Sequence, residues 1–225
     1  MTIKFLGHST LLINTNDKNI LVDPFISANP LASDINIDEL EVDYILITHA
    51  HYDHILDVDA IAKRTNATII ANHEISTHYQ NKGFNVHGMN CGGSWKFDFG
   101  KVKMVQAIHS SSFPDGTYGG TAAGFVIENT EATIYIAGDT ALHLDMQLIP
   151  LFFNLDLAVL PIGGNYTMDI SEALVASDYL QCEKILGVHY DTNDLIKIDK
   201  QQTIKTFAER QKQLVLLNIG EKMEI

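Results

Sequence analysis

The sequence predicts an α/β fold, an αββα sandwich of two mixed β-sheets flanked by helices, built as a single domain over residues 1–225. Three observations carry this prediction. Each half of the chain opens with short alternating apolar runs in meander order, and each half then continues with strand–helix units. No Pro/Gly/Ser linker, low-complexity tract or exact repeat divides the two halves.

The elements follow from the apolar spacing. Ile3–Leu6, Thr10–Ile13 and Ile20–Val22 read as antiparallel strands, with a polar turn over Asn14–Asn19 and a stop at Asp23-Pro24. Asp43–Thr48 is a further strand, after which Ile55, Val58, Ile61 and Ala62 have helical spacing. Ala67–Ala71 returns to strand, and Glu74–Lys82 is a short helix closed by Gly83. Trp95, Phe97 and Phe99 alternate as a packed hairpin face toward Gly100, from which Val102–Ile108 pairs back.

In the second half, strands at Ala123–Ile127 and Thr133–Ala137 flank the polar turn Glu128–Glu131, and Leu157–Pro161 follows as a strand. Asp169 with Glu172 three residues on is an acidic capping box for a helix over Ile170–Leu180. Lys184–Val188 is a strand, Lys200–Gln211 a helix and Leu214–Leu217 the last core strand. Glu221–Ile225 either completes a sheet edge or frays.

Charge restricts the partners. Lys and Arg number 15 against 28 Asp and Glu, a formal net of -13, so the overall field repels nucleic-acid phosphates and anionic lipid. We expect no nucleic-acid and no membrane partner, and a homo-oligomer is left open. The apolar run after Lys4 is too short for a signal peptide core, and Cys91 and Cys182 have no CxxC spacing. Both features point to a reducing, cytoplasmic setting.

The ten histidines supply the chemistry. Thr48-His49-Ala50-His51-Tyr52-Asp53-His54 follows the strand DYILI directly. His49 and His51, two apart on extended backbone, can point the same way, while Asp53 and His54 begin a turn aimed at a neighbouring position. One turn can therefore serve two metals. Further ligand types stand at equivalent places: His109 after KVKMVQAI, Asp139 after ATIYIAG and His189 after KILGV, each where an apolar strand reaches a sheet rim. His/Asp ligation suits two divalent ions, Zn²⁺ foremost, with Mn²⁺ or Fe²⁺ accepting the same donors.

Strand-HAHYDH, His109, Ala137-Gly138-Asp139-Thr140 and His189 resemble the five ordered motifs of the metallo-β-lactamase superfamily, over nearly the whole chain. Gly7-His8-Ser9-Thr10, Asp23-Pro24, residues 160–168 and His189-Tyr190 are similar to a small group of metal-dependent hydrolases related to the ascorbate-phosphate lactonases. The resemblance implies one metal held by His49, His51 and His109, another by Asp53, His54 and His189, and Asp139 bridging them. It also implies what the chain is not. The commonest β-lactamases carry Cys at the Asp139 position, flavo-diiron proteins carry Glu where His51 stands, and ribonuclease Z-like enzymes add an RNA-gripping arm.

The expected function is hydrolysis of a small, anionic ester, lactone or phosphodiester by a metal-bound hydroxide, since a bound ion brings the pKa of water from 15.7 to about 7. Two divalent ions, Asp53, Asp139 and a bridging hydroxide leave a local charge of about +1, which can attract an anion to an acidic protein. Alternatives are a metal-binding sensing domain without turnover and an RNA or DNA phosphodiesterase. Asp53 and His8 are the candidate catalytic residues, His8 as proton donor to the leaving group or as a substrate contact. Asp23 is placed to set the tautomer of a ligand His, and Gly163-Gly164 to present N–H groups to an anion. Ser110–Ser112, Tyr118 and Gly119-Gly120 read as a loop near the mouth, and His73, His78, His87 and His143 as structural or exposed.

Overall fold

A computed structural model describes all of residues 1–225. The chain opens with an antiparallel meander, β1 (Thr2–Gly7), β2 (Thr10–Thr15) and β3 (Lys18–Val22). Asn16 and Asp17, both at positive φ, make the turn between β2 and β3. Two residues of that backbone hand suffice for a tight hairpin, so the strands run closer to the turn than the polar stretch Asn14–Asn19 suggests.

β4 (Tyr44–Leu46), α1 (Tyr52–Ile55), α2 (Val58–Thr65), β5 (Thr68–Asn72), α3 (His73–Asn81) and β6 (Val86–Met89) form parallel crossover units on β3. β7 (Ser94–Phe97), β8 (Gly100–Gln106), β9 (Ala123–Glu128) and β10 (Thr133–Ile136) are the second meander. β11 (Leu157–Pro161), α4 (Ile170–Tyr179), β12 (Lys184–Val188), α5 (Lys200–Glu209) and β13 (Gln213–Val215) extend it in parallel. β14 (Lys222–Glu224) crosses back to pair antiparallel with β1, which settles the fate of the C-terminal segment as a sheet edge. The result is two seven-stranded sheets, in the orders β14-β1-β2-β3-β4-β5-β6 and β13-β12-β11-β10-β9-β8-β7.

Alternation within each strand assigns its side chains to layers. Ile20 and Val22 face the space between the sheets and Leu21 the outer helices; Ile70 and Ile69 divide the same way, as do Ile134 and Tyr135. Fully burying such a side chain contributes about 1.5–3 kcal/mol. A one-residue slip would exchange the layers, so the register is firmly set.

Differences from the expected elements have local causes. β6 escaped notice because VHGM lacks an apolar run. The helix over Leu144–Leu151 is of the tight 3₁₀ kind and contains Pro150, so it shows no 3.6-residue stripe. The expected helix through Ile55 and Ala62 is two helices that abut at Leu56 and Asp57. On the aromatic hairpin Phe97 and Phe99 stack at 5.3 Å, but Trp95 is exposed, its ring 5.1 Å from that of His87. No helix is long and apolar enough to cross a membrane.

Candidate metal centre

The expected ligands emerge at the ends of strands or in the segment just after them, along one rim of the sandwich. His49 and His51 lie beyond β4, Asp53 and His54 on α1, His109 beyond β8, Asp139 beyond β10 and His189 directly after β12. Strands of both sheets end at this rim, so side chains up to 140 positions apart in sequence meet there.

Three groups of ligand atoms each fall within 4.8 Å of one another: His49, His51 and His109; Asp53, His54 and His189, joined by His8; and His49, His54 and Asp139. Asp139 Oδ2 lies at the middle. It is 3.0 Å from His189 Nε2, 3.4 Å from His54 Nε2, 3.7 Å from His109 Nε2 and 3.9 Å from His49 Nε2.

Outer hydrogen bonds choose which nitrogen His54, His49 and His51 turn inward. Asp23 Oδ2 accepts from His54 Nδ1 at 2.9 Å and from the Thr48 hydroxyl at 2.7 Å, and its Oδ1 accepts from Thr48 N at 2.8 Å. His49 Nδ1 is 3.0 Å from Thr48 Oγ1, so Nε2 of both His49 and His54 faces the cluster. His51 presents Nδ1, 3.0 Å from His49 Nε2, while its Nε2 meets Ser110 Oγ at 3.2 Å. Ser111 clasps the same turn: its Oγ accepts from Ala50 N and donates to Gly119 O. Asn72 anchors that loop from β5 by donating to Gly119 O and Thr121 O.

The charge states of His49, His51, His109 and Asp139 fit a cation, whereas without an ion a proton on His54 takes its place between the two carboxylates. Burial pushes His49, His51 and His109 below the usual imidazole range, so they are neutral, with lone pairs available, at pH 7. Burial opposes ionisation of Asp139, yet His189 and His54 hold it well below the usual carboxylate range. Burial likewise works against the charge on His54, but Asp139 and Asp23 overcome it and raise its pKa well above normal. Three buried atoms on residues of the cluster, His54 Nε2, Asp139 Oδ1 and His189 Nδ1, have no hydrogen-bond partner. Orphaned polar atoms of this kind are costly in a protein interior, and a divalent ion among these donors would satisfy the first two.

Two sequence expectations change in detail. His8 is 4% exposed, with Nε2 3.0 Å from Asp53 Oδ2 and Nδ1 2.8 Å from Thr192 Oγ1. Both ring nitrogens are engaged, so the ring stands behind Asp53 instead of reaching a leaving group. Gly163 is not part of an open anion cradle: a Cβ there would sit 2.2 Å from His189 O, so the glycine lets β12 carry His189 inward. Asp23 does take the tautomer-setting position. Ser111 lies in the loop expected near the mouth, but its role and those of Thr48, Thr192 and Asn72 cannot be read from the sequence, because single hydroxyls and amides carry no spacing signal. His78 stacks on Phe113, and His87 lies tilted against Trp95. His8, Asp23 and His189 also adopt left-handed backbone, at φ 53°, 45° and 56°, a conformation non-glycine residues take at a cost and which the converging strand ends impose.

Two sandwiched mixed sheets with a His/Asp cluster at one rim define an αββα protein with a candidate metal centre. The chain belongs to the β-lactamase superfamily: a family model described as a beta-lactamase superfamily domain matches residues 18–190. A UPF0173 metal-dependent hydrolase of Flavobacterium johnsoniae is 60% identical over 225 residues, all of both chains. One from Methylacidiphilum infernorum is 47% identical over 224 residues, 99% of each. A solved metallo hydrolase from the hyperthermophilic archaeon Ignicoccus hospitalis superposes with TM-score 0.90 at 33% identity, covering 100% of this chain and 97% of that one. An isothiocyanate hydrolase from Delia radicum gut bacteria shares the fold, with TM-score 0.80 at 21% identity over 100% and 99% of the two chains. The protein is thus a metal-dependent hydrolase of that superfamily.

Proposed function

We propose that the enzyme hydrolyses a small ester, lactone or phosphodiester at two divalent ions, Zn²⁺ foremost. His49, His51 and His109 would hold one ion and Asp53, His54 and His189 the other, with Asp139 shared. The observation that carries this reading is the position of Asp139 Oδ2, within 3.9 Å of an imidazole nitrogen from each triad. Bound ions of this kind supply Lewis acidity and ionise water near neutral pH.

The chain's own groups do the rest. Asp23 and Thr48 hold His54 and His49 in one tautomer and so keep the inner nitrogens ready. Asp53, with a side chain 38% exposed, is the carboxylate of the cluster that opens to solvent. His8 donates Nε2–H to Asp53 Oδ2 and leaves Oδ1 free to take and release a proton as the scissile bond breaks. The partly exposed His51, Asp53 and His109 support turnover over a sealed sensing site. Cys91 and Cys182 are free thiols, in keeping with a cytoplasmic location.

A panel of phosphodiester, lactone and thioester substrates, given to metal-reconstituted protein, tests the reading. Cleavage of at least one class that disappears on chelation is expected. No cleavage at full metal occupancy would overturn it.

A further inference from the structure

The cations of this chain avoid the metal-centre rim. All 15 Lys and Arg lie outside residues 5–17, 19–62, 104–183 and 185–196, the stretches that contain His8, the seven proposed ligands and the loops around them. Carboxylates are not excluded in the same way: Asp115, Asp145, Asp169 and Asp191 all stand in these loops. Two lysines line clefts shared with His8 or with Tyr52 beside the ligands, and both already pair with a carboxylate. Lys82, in a cleft of about 360 Å³ with Tyr52, pairs with Asp59 at 2.6 Å. Lys200, in a cleft of about 240 Å³ behind His8, pairs with Asp191 at 3.2 Å and lies 5.3 Å over the Tyr190 ring. The N-terminus of α4, the other common anion seat, is filled by the reciprocal hydrogen bonds of Asp169 and Glu172.

What the rim offers instead is apolar surface. Tyr52 stands between His51 and Asp53, and Ile108 beside His109. Leu144 follows the Asp139 loop, Tyr118 precedes the Gly119 that packs on Ala50, and Tyr166 lies in the loop whose Gly163 abuts His189. All five side chains are exposed.

We propose that the substrate is uncharged and apolar on both sides of its scissile bond, an alkyl or aryl ester or lactone, and that a phosphate or carboxylate elsewhere on the molecule disfavours it. This rests on the hydrolase reading above and replaces the anionic substrate expected from the charge of the ions alone. Two ions can receive charge that develops at the reacting group, but a second anion on the substrate would find carboxylates and no Lys or Arg in the stretches that carry the ligands. Recognition of a phosphate or carboxylate tail ordinarily uses such a cation, Arg above all.

The test compares 4-nitrophenyl hexanoate with the 4-nitrophenyl monoester of adipic acid, which carries a carboxylate at the far end of a similar chain, on metal-loaded protein. The uncharged ester is expected to have a kcat/KM about tenfold higher or more. Replacing Tyr118 and Ile108 together by Ala should raise KM for the hexanoate by roughly three- to tenfold, and raise that for the shorter 4-nitrophenyl acetate by less. Ligand-detected NMR with hexanamide and the monoamide of adipic acid reads the same selectivity without turnover: only hexanamide should bind, and the double variant should weaken it. Equal or better use of the charged ester, or equal binding of the two amides, overturns the proposal. Selective hexanamide binding with neither ester cleaved would leave the apolar selectivity standing and remove the ester-hydrolysis reading.

Discussion

Asp23 Oδ2 lies 2.9 Å from His54 Nδ1, and both side chains are essentially sealed from solvent. The same carboxylate also takes the Thr48 N–H and hydroxyl, so one residue at the end of β3 holds the turn that carries four proposed ligands. Asp23→Ala would leave three buried donors unpaired. A loss of about 3 kcal/mol in denaturant stability is expected, together with a metal affinity roughly 10- to 100-fold weaker by competitive chelation. Unchanged affinity would remove Asp23 from the support of the centre.

Gly163→Ala should act on His189 from a distance. The new Cβ would stand 2.2 Å from His189 O and 2.9 Å from Ile196 Cβ, so backbone must move. We expect about 1–3 kcal/mol of destabilisation and a deficit of one ion per chain by elemental analysis. The matching change at Gly164, whose nearest neighbour would be 3.5 Å away, meets no such clash and is disfavoured only by its φ of +68°.

The metal-free protein should lose stability as the solution is acidified. Burial outweighs the Asp53 hydrogen bond and lowers the His8 pKa from 6.5 to about 4. Between those values the unfolded chain binds the proton and the folded chain does not, so stability is complete above about 6.5 and falls as pH approaches 4, by on the order of 3 kcal/mol from this group. His54, raised in the folded state, acts in the opposite sense and loses its contribution as pH rises through its folded value. Thermal melts of chelator-treated protein across pH 4–7 should show the acid-side fall, and His8→Gln should flatten it. A profile unaltered by that substitution would contradict the assignment.

Removing the helix cap gives a milder effect. Asp169 Oδ1 accepts from Glu172 N at 2.9 Å, and Glu172 Oε2 accepts from Asp169 N at 3.2 Å. Asp169→Ala is expected to cost about 1 kcal/mol in urea denaturation without altering metal content.

The capping box, the two meanders and the strand–helix units were legible because each is written locally, in spacing of 2 or 3.6 or in paired cap residues. The seven proposed ligands were legible for a related reason: four fall within six positions, and the others follow apolar strands directly. Apart from Asp23, what supports them was not. Thr48, Thr192 and Ser111 are common residues whose partners lie in distant segments, and the left-handed backbone at His8, Asp23 and His189 arises only when the strand ends converge. The tight glycine contact at position 163 is likewise a property of two segments packed together, and from one of them alone it reads as an ordinary turn. The absence of cations from the rim is fully visible in the sequence, yet it acquires meaning only once the fold shows which stretches surround the centre.

The most direct test of a shared carboxylate is metal stoichiometry by inductively coupled plasma mass spectrometry on folded, Zn²⁺-reconstituted wild type, Asp139→Ala and Tyr52→Phe. Because Asp139 Oδ2 stands between both triads, wild type and Tyr52→Phe should each retain about two ions per chain and Asp139→Ala should retain close to none. A folded Asp139→Ala protein holding the full complement would contradict the two-ion centre with Asp139 at its middle.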